Sequence, residues 1–106
     1  MKQDNVLSML GLARKAGKVV SGEFSTENAI REGSARLVIV STDASDNTKK
    51  RFTNKCTYYH VPYYEYGTKE SLGACIGLQI RTSVAVLDEG LASSIEKKLP
   101  HGTEEQ

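Results

Sequence analysis

Apolar residues recur along this chain first at helical spacing, then in short continuous runs, and the two patterns alternate to the end. Val6, Leu7, Met9, Leu10, Leu12 and Ala13 fall on one side of a helical repeat. They predict an amphipathic helix over residues 4–16, with Asp4 or Asn5 placed to cap its first amides. Gly17 is a stop signal, and Arg14 and Lys15 occupy the last turn, where the helix dipole favours cations. Val19 and Val20 read as a very short strand. Ser21-Gly22-Glu23-Phe24-Ser25 reads as a turn into a second helix that starts near Ser25, buries Ala29 and Ile30, and ends at Gly33.

Leu37-Val38-Ile39-Val40 is a continuous, mostly β-branched run, the signature of a central strand buried on both faces. The cluster from Thr42 to Asn47 is a turn and cap. A third helix follows, with Phe52, Cys56 and Tyr59 inward at i, i+4, i+7 and with Lys49, Lys50, Arg51 and Lys55 mostly on the outer face. His60-Val61-Pro62 breaks that helix, and residues 63–66 read as a strand. Thr68 caps a fourth helix with Leu72, Cys75 and Ile76 inward. Residues 83–87 form a fourth strand and residues 89–98 a last helix. Strands alternating with helices imply an α/β domain, a three-layer α/β/α sandwich on a small four-stranded mixed sheet. One domain over residues 1–99 and a polar, fraying tail over residues 100–106 are the expected boundaries.

Composition changes this picture little. With 106 residues, 39% hydrophobic and 25% charged, the chain has the makeup of an ordinary globular protein. No apolar run approaches the ~20 residues of a membrane span, and polar residues interrupt the N-terminal segment where a signal peptide would be apolar. A cytoplasmic protein with no membrane partner is expected. Cys56 and Cys75 sit far apart in apolar helical patterns, so they read as small buried hydrophobes. A disulfide does not suit that compartment, and the two cysteines with His60 and His101 lack metal-ligand spacing.

Charge adds more. The net charge of +1 excludes a globally basic nucleic-acid binder, but the distribution is uneven. Residues 31–55 hold six basic groups against three acidic ones, whereas residues 88–106 hold five acidic groups against two basic ones.

The sequence contains no nucleophile elbow, P-loop, dinucleotide fingerprint or zincin motif. A Cys56–His60 dyad has helical spacing but no orienting third group, so His60 reads as a junction residue. No enzyme, cofactor, metal or small-molecule substrate is expected. Two glycine-bounded segments suit an anionic ligand better. Gly22 precedes a helix whose first amides can hold a phosphate, although Gly22 also has a plain role in turn geometry. The loop from Gly77 to Thr82 places Leu78 and Ile80, both expected to be exposed, beside Gln79 and Arg81. Aliphatic side chains next to amide and guanidinium groups can pack on unstacked bases while the polar groups contact edges.

The ordered set of segments resembles the L-seven-Ae family of ribosomal and kink-turn-binding proteins. It comprises Gly22 with Ala29-Ile30-Arg31-Glu32-Gly33 running into Leu37-Val38-Ile39-Val40-Ser41-Thr42-Asp43-Ala44, then Val61-Pro62-Tyr63-Tyr64, then Lys69-Glu70-Ser71-Leu72-Gly73-Ala74-Cys75-Ile76-Gly77, then Ser83-Val84-Ala85-Val86-Leu87-Asp88-Glu89-Gly90. Together they cover residues 5–97. The opening Gly11-Leu12-Ala13-Arg14-Lys15-Ala16-Gly17-Lys18 and the helix start from Asp43 to Lys50 resemble the bacterial YlxQ-like branch.

The resemblance implies the α/β/α sandwich and the binding of RNA kink-turns, in which a bulge bends the helix and exposes sheared G·A pairs. It implies RNA as partner, ribosomal or other structured RNA; ribosomal or translation-factor proteins are the partners of the alternative reading, a docking module on the same fold. The implied RNA face is Gly22, Glu23, Phe24, Ser25 and Asn28, the basic end of the first helix at Lys15 and Lys18, and Leu78, Gln79, Ile80 and Arg81. The chain departs from the family where tight kink-turn binders carry an Asn-Glu pair followed by a Lys. Phe24 and Ser25 stand at the pair, and Asn28 stands at the Lys. Phe24 has two readings: a base-stacking aromatic if exposed, or a buried anchor of the second helix. The alternative for the whole chain is a protein-docking module on the same fold.

Overall fold

A computed structural model describes residues 4–100. Its elements follow the alternation of the sequence: α1 (Asn5–Lys15), β1 (Val19–Ser21), α2 (Glu23–Glu32), β2 (Leu37–Val40), α3 (Asp46–Tyr59), β3 (Tyr63–Glu65), α4 (Lys69–Cys75), β4 (Ser83–Val86) and α5 (Glu89–Lys98). The strands lie in the order β1-β4-β2-β3. β4 runs antiparallel to both β1 and β2, whereas β3 is parallel to β2. The sheet is therefore mixed, as expected.

The alternation of side chains along each strand divides the core into two layers. Leu37 and Ile39 of β2 and Val84 and Val86 of β4 pack with α1, α4 and α5, against Val6, Leu10, Leu72, Ile76 and Ile95. Val38, Val40 and Ala85 point to the opposite layer, where α2 and α3 bring Ala29, Ile30, Phe52 and Cys56. Both central strands are buried along their whole length, which explains their unbroken apolar runs.

The caps are chemically specified. Asp4 accepts the Leu7 amide at 3.0 Å, and its other carboxylate oxygen accepts the Tyr66 hydroxyl at 2.7 Å, tying α1 to the end of β3. Ser45 caps α3, and Thr68 with Ser71 closes a capping box at α4. Gly33 ends α2 in the left-handed conformation, as its position implied.

Several expectations change. α2 starts at Glu23, two residues before the expected Ser25, because Gly22 at φ 91° turns the chain directly from β1 into the helix. β3 and β4 end one residue early, at Glu65 and Val86. Tyr59 does not point inward. α3 buries only Phe52 and Cys56, and Tyr59 is 39% exposed with its ring against Tyr58. Cys56 is buried, but Cys75 is only partly so. The expected tail beyond Pro100 lies outside the described residues. No helix among the described residues is long and apolar enough to cross a membrane.

Candidate functional site

The end of β1, the start of α2 and the loop before β4 meet at one edge of the sheet. Antiparallel pairing puts Ser21 opposite Val84, and the Gly22 amide donates to the Ser83 carbonyl at 2.9 Å. Arg81 crosses the junction. Its Nε donates to Ser21 Oγ at 3.0 Å and a terminal nitrogen donates to the Ile80 carbonyl at 2.8 Å, leaving its other guanidinium N–H donors for a ligand. Beneath them the buried Ser83 hydroxyl donates to Thr26 Oγ1 at 3.4 Å, joining α2 to β4.

The loop is seated by a glycine. Leu78 donates its amide to the Gly73 carbonyl at 2.8 Å, and a Cβ on Gly73 would stand only 2.0 Å from the Gln79 carbonyl oxygen. Any side chain at this position inside α4 would push the loop away. The two aliphatic residues therefore part company. Leu78 packs on the apolar core, contrary to its expected exposure, whereas Ile80 is 50% exposed. Gln79 is exposed beside it.

At the start of α2, Phe24 is 75% exposed, so it is not the buried anchor of that helix. Ser25 is exposed on the same turn. Glu23 turns to α3, where Arg51 donates to one of its oxygens at 3.0 Å and Thr48 to the other at 3.2 Å. Arg51 also lies 3.8 Å from Glu27. Asn28 accepts a hydrogen bond from Arg31 one turn on, so its carbonyl oxygen is occupied within the helix.

The basic end of α1 does not join this cluster. Lys18 stands at the opposite end of β1, where its carbonyl accepts the Leu87 amide at 2.8 Å. Four residues of extended chain put it about 13 Å from Gly22 along the strand. Lys15 lines a different groove, between α1 and the end of α4, with Gly11, Leu12, Cys75 and Gly77. α1 and α4 approach so closely there that a Cβ on Gly11 would meet the Cys75 carbonyl oxygen at 2.8 Å.

The thiols have no reactive setting. Burial pushes the Cys56 thiol up to about 12, and burial with the Asp4 carboxylate pushes Cys75 up to about 11. His60 caps α3 in the left-handed conformation, donating its backbone amide to Cys56 and Thr57. Among the described residues no group of three or more His, Cys, Asp or Glu is placed to hold a metal ion.

What sequence reasoning missed is the role of Ser21, the acceptor that ties the loop to β1. Nothing in its own spacing marks it; only the pairing of β1 with β4 brings it to Arg81.

Residues 4–96 match the family model described as Ribosomal protein L7Ae/L30e/S12e/Gadd45 family. The chain is similar to the RNA-binding protein YlxQ of Bacillus subtilis (strain 168), 47% identical over 87 residues, which are 82% of this chain and 87% of that protein. The RNA-binding protein YlxQ of Enterococcus faecium is 35% identical over 95 residues, 90% of this chain and 91% of its own. A solved protein of unknown function from Bacillus halodurans C superposes with a TM-score of 0.88 at 34% identity, covering 91% of this chain and 97% of that one. The Giardia lamblia 15.5kD RNA binding protein shares the fold, with a TM-score of 0.74 at 18% identity over 93% of this chain and 94% of that one. These likenesses agree with the L-seven-Ae, YlxQ-like resemblance of the sequence motifs, and the chain belongs to the ribosomal protein L7Ae/L30e/S12e/Gadd45 family.

Proposed function

We propose that this chain is a non-catalytic RNA-binding protein of the cytoplasm that takes structured, kink-turn-like RNA in a ribosomal or translation context. The observation that carries the reading is the Arg81–Ser21 hydrogen bond, which makes the start of α2 and the loop before β4 one surface. Exposed Phe24 and Ile80 stand on that surface among Gly22, Ser25 and Gln79. The family, and the names of the relatives from Bacillus subtilis and Enterococcus faecium, support RNA as the ligand.

Each group has a task in this reading. The first amides of α2, at the positive end of the helix dipole, hold a phosphate. Arg81 holds another with its remaining donors. Phe24 stacks on an unpaired base, worth about 1–3 kcal/mol, and Ile80 packs beside it. Ser25 and Gln79 supply polar contacts to base edges, and Asn28 joins them by exchanging its Arg31 partner. Glu23 orients the helix through Arg51. Lys18, about 13 Å along the strand from Gly22 against a Debye length of ~8 Å in physiological salt, contributes little, and Lys15 lines the separate groove beside α4.

Because Phe24, Ser25 and Asn28 replace the family's Asn-Glu pair and Lys, the expected preference for intact sheared G·A pairs is modest. Titration of the protein against a kink-turn RNA, and against the same RNA with its G·A pairs disrupted, tests this. The expected result is binding to both at low salt, with the intact RNA bound several-fold more tightly. Phe24→Ala and Arg81→Ala each weaken that binding by about tenfold, ~1.4 kcal/mol. Equal affinities with steep salt dependence remove the kink-turn part, and no binding to either RNA removes the whole. In that last case exposed Phe24 favours the second reading, docking on a ribosomal or translation-factor protein.

A further inference from the structure

The outer face of α3 has a composition that folding does not explain. Phe52 and Cys56 provide the buried side of this helix. Its opposite side carries Lys50, Asn54 and Tyr58 at i, i+4, i+8, and the flank beside them carries Arg51, Lys55 and Tyr59, a row that turns toward the buried side at Tyr59. At the end of the rows the two tyrosine rings pack edge to face, 4.8 Å between centroids and 78° between planes. Tyr58 is 75% exposed and Tyr59 39%, so the pair offers ring surface to solvent.

Charge identifies the occupant. Arg51 is neutralised by Glu23 and Glu27, and Lys49, on another side of the helix, is paired with Glu65 at 3.8 Å. Lys50 and Lys55 have no carboxylate within 4.0 Å among the described residues. Asn54, Lys55, Tyr58 and Tyr59 line a shallow depression of about 370 Å³. Uncompensated lysines beside presented aromatic faces and an amide match the parts of single-stranded nucleic acid: phosphates, stacking faces and base edges. Arg51 links this face to Glu23 at the start of α2, and Tyr58 lies about 10 Å further along the helix axis.

We infer that the outer face of α3 is a second RNA contact, a platform on which Tyr58 and Tyr59 stack bases of a single-stranded segment while Lys50 and Lys55 hold its phosphates. The inference extends the RNA-binding reading but does not use the α2 and loop surface, so the two are tested apart.

The chain has five tyrosines and no tryptophan, so its ultraviolet emission comes from tyrosine, and the quench that disappears in the Tyr58→Ala/Tyr59→Ala protein is the part owed to this pair. A short oligouridylate is expected to bind at low salt and quench that emission. Tyr58→Ala/Tyr59→Ala is expected to keep the native circular dichroism, since neither ring is buried, and to lose at least about tenfold in affinity together with the quench. Tyr58→Phe/Tyr59→Phe retains binding. Lys50→Ala/Lys55→Ala lowers the salt slope by about 1.4, the value for two phosphates on a single strand. The inference is overturned if wild-type protein ignores oligouridylate at low salt, as it would if a protein partner used this face instead. It is equally overturned if the Tyr58→Ala/Tyr59→Ala protein binds like wild type. Kink-turn binding weakened about tenfold in Phe24→Ala, with oligouridylate binding unchanged, supports both proposals. Oligouridylate binding by a protein that takes no kink-turn RNA removes the first and keeps the second.

Discussion

Gly73 shows how a single missing side chain sets the geometry of the candidate surface. Its open side is filled by the Gln79 carbonyl, so the loop carrying Ile80 and Arg81 lies directly on α4. Gly73→Ala is expected to lower stability by about 1–3 kcal/mol through overpacking and to weaken RNA binding with it; a chemical denaturation curve measures the first. The cysteines make a residue-scale prediction of a different kind. Burial raises both thiols above the ordinary 9.0, to about 12 for Cys56 and about 11 for Cys75. A folded pKa above the unfolded value gives stability that is complete below the unfolded pKa and is lost as pH rises toward the folded one. The melting temperature should therefore fall from about pH 9 upward, and both thiols should react slowly with alkylating reagents until the chain unfolds. The sequence carried Cys56 correctly as a small buried hydrophobe. Tyr59 and Leu78 were harder. An aromatic at i+7 from Phe52 fits an inward stripe, but the Tyr59 ring is 39% exposed and packs on Tyr58. Leu78 faces the core because the loop doubles back over Gly73, a contact no local pattern encodes.

Helices are most legible where caps and apolar spacing agree. α1, α3 and α5 have an acidic or hydroxyl cap followed by an apolar repeat, and their ranges follow from that. α2 lacks a side-chain cap, and its start at Glu23 depends on the turn at Gly22. Asp4 makes the element-scale prediction. It serves α1 as N-cap and also accepts the Tyr66 hydroxyl, so Asp4→Ala removes a cap and a tether between helix and sheet. The expected cost is about 0.5–2 kcal/mol for the cap, plus the separate loss of the Tyr66 bond. Asp4→Asn keeps an acceptor for Leu7 and is expected to recover most of the cap. Thermal unfolding of the two variants reads the difference, and equal losses would mean that capping is not what the carboxylate does.

At the scale of the molecule, the alternation of elements gave the three layers, but the strand order β1-β4-β2-β3 is long-range information. That order is what joins Ser21 to Arg81, and it also sets Lys18 at the other end of β1 from Gly22. The +1 net charge hid the distribution that matters. Some cations are spent on carboxylates within the fold, Arg51 on α2 and Lys49 on β3, whereas Arg81, Lys50 and Lys55 are not. The most direct measurement of whether RNA sits on the α2 and loop surface is amide chemical-shift mapping during titration with a kink-turn RNA. The expected result is that the amides of residues 21–25 and 77–82 move together, saturably, and that Arg81→Ala reduces the shifts at both segments. Shifts that leave both segments unmoved, or no shifts at low salt, would contradict it.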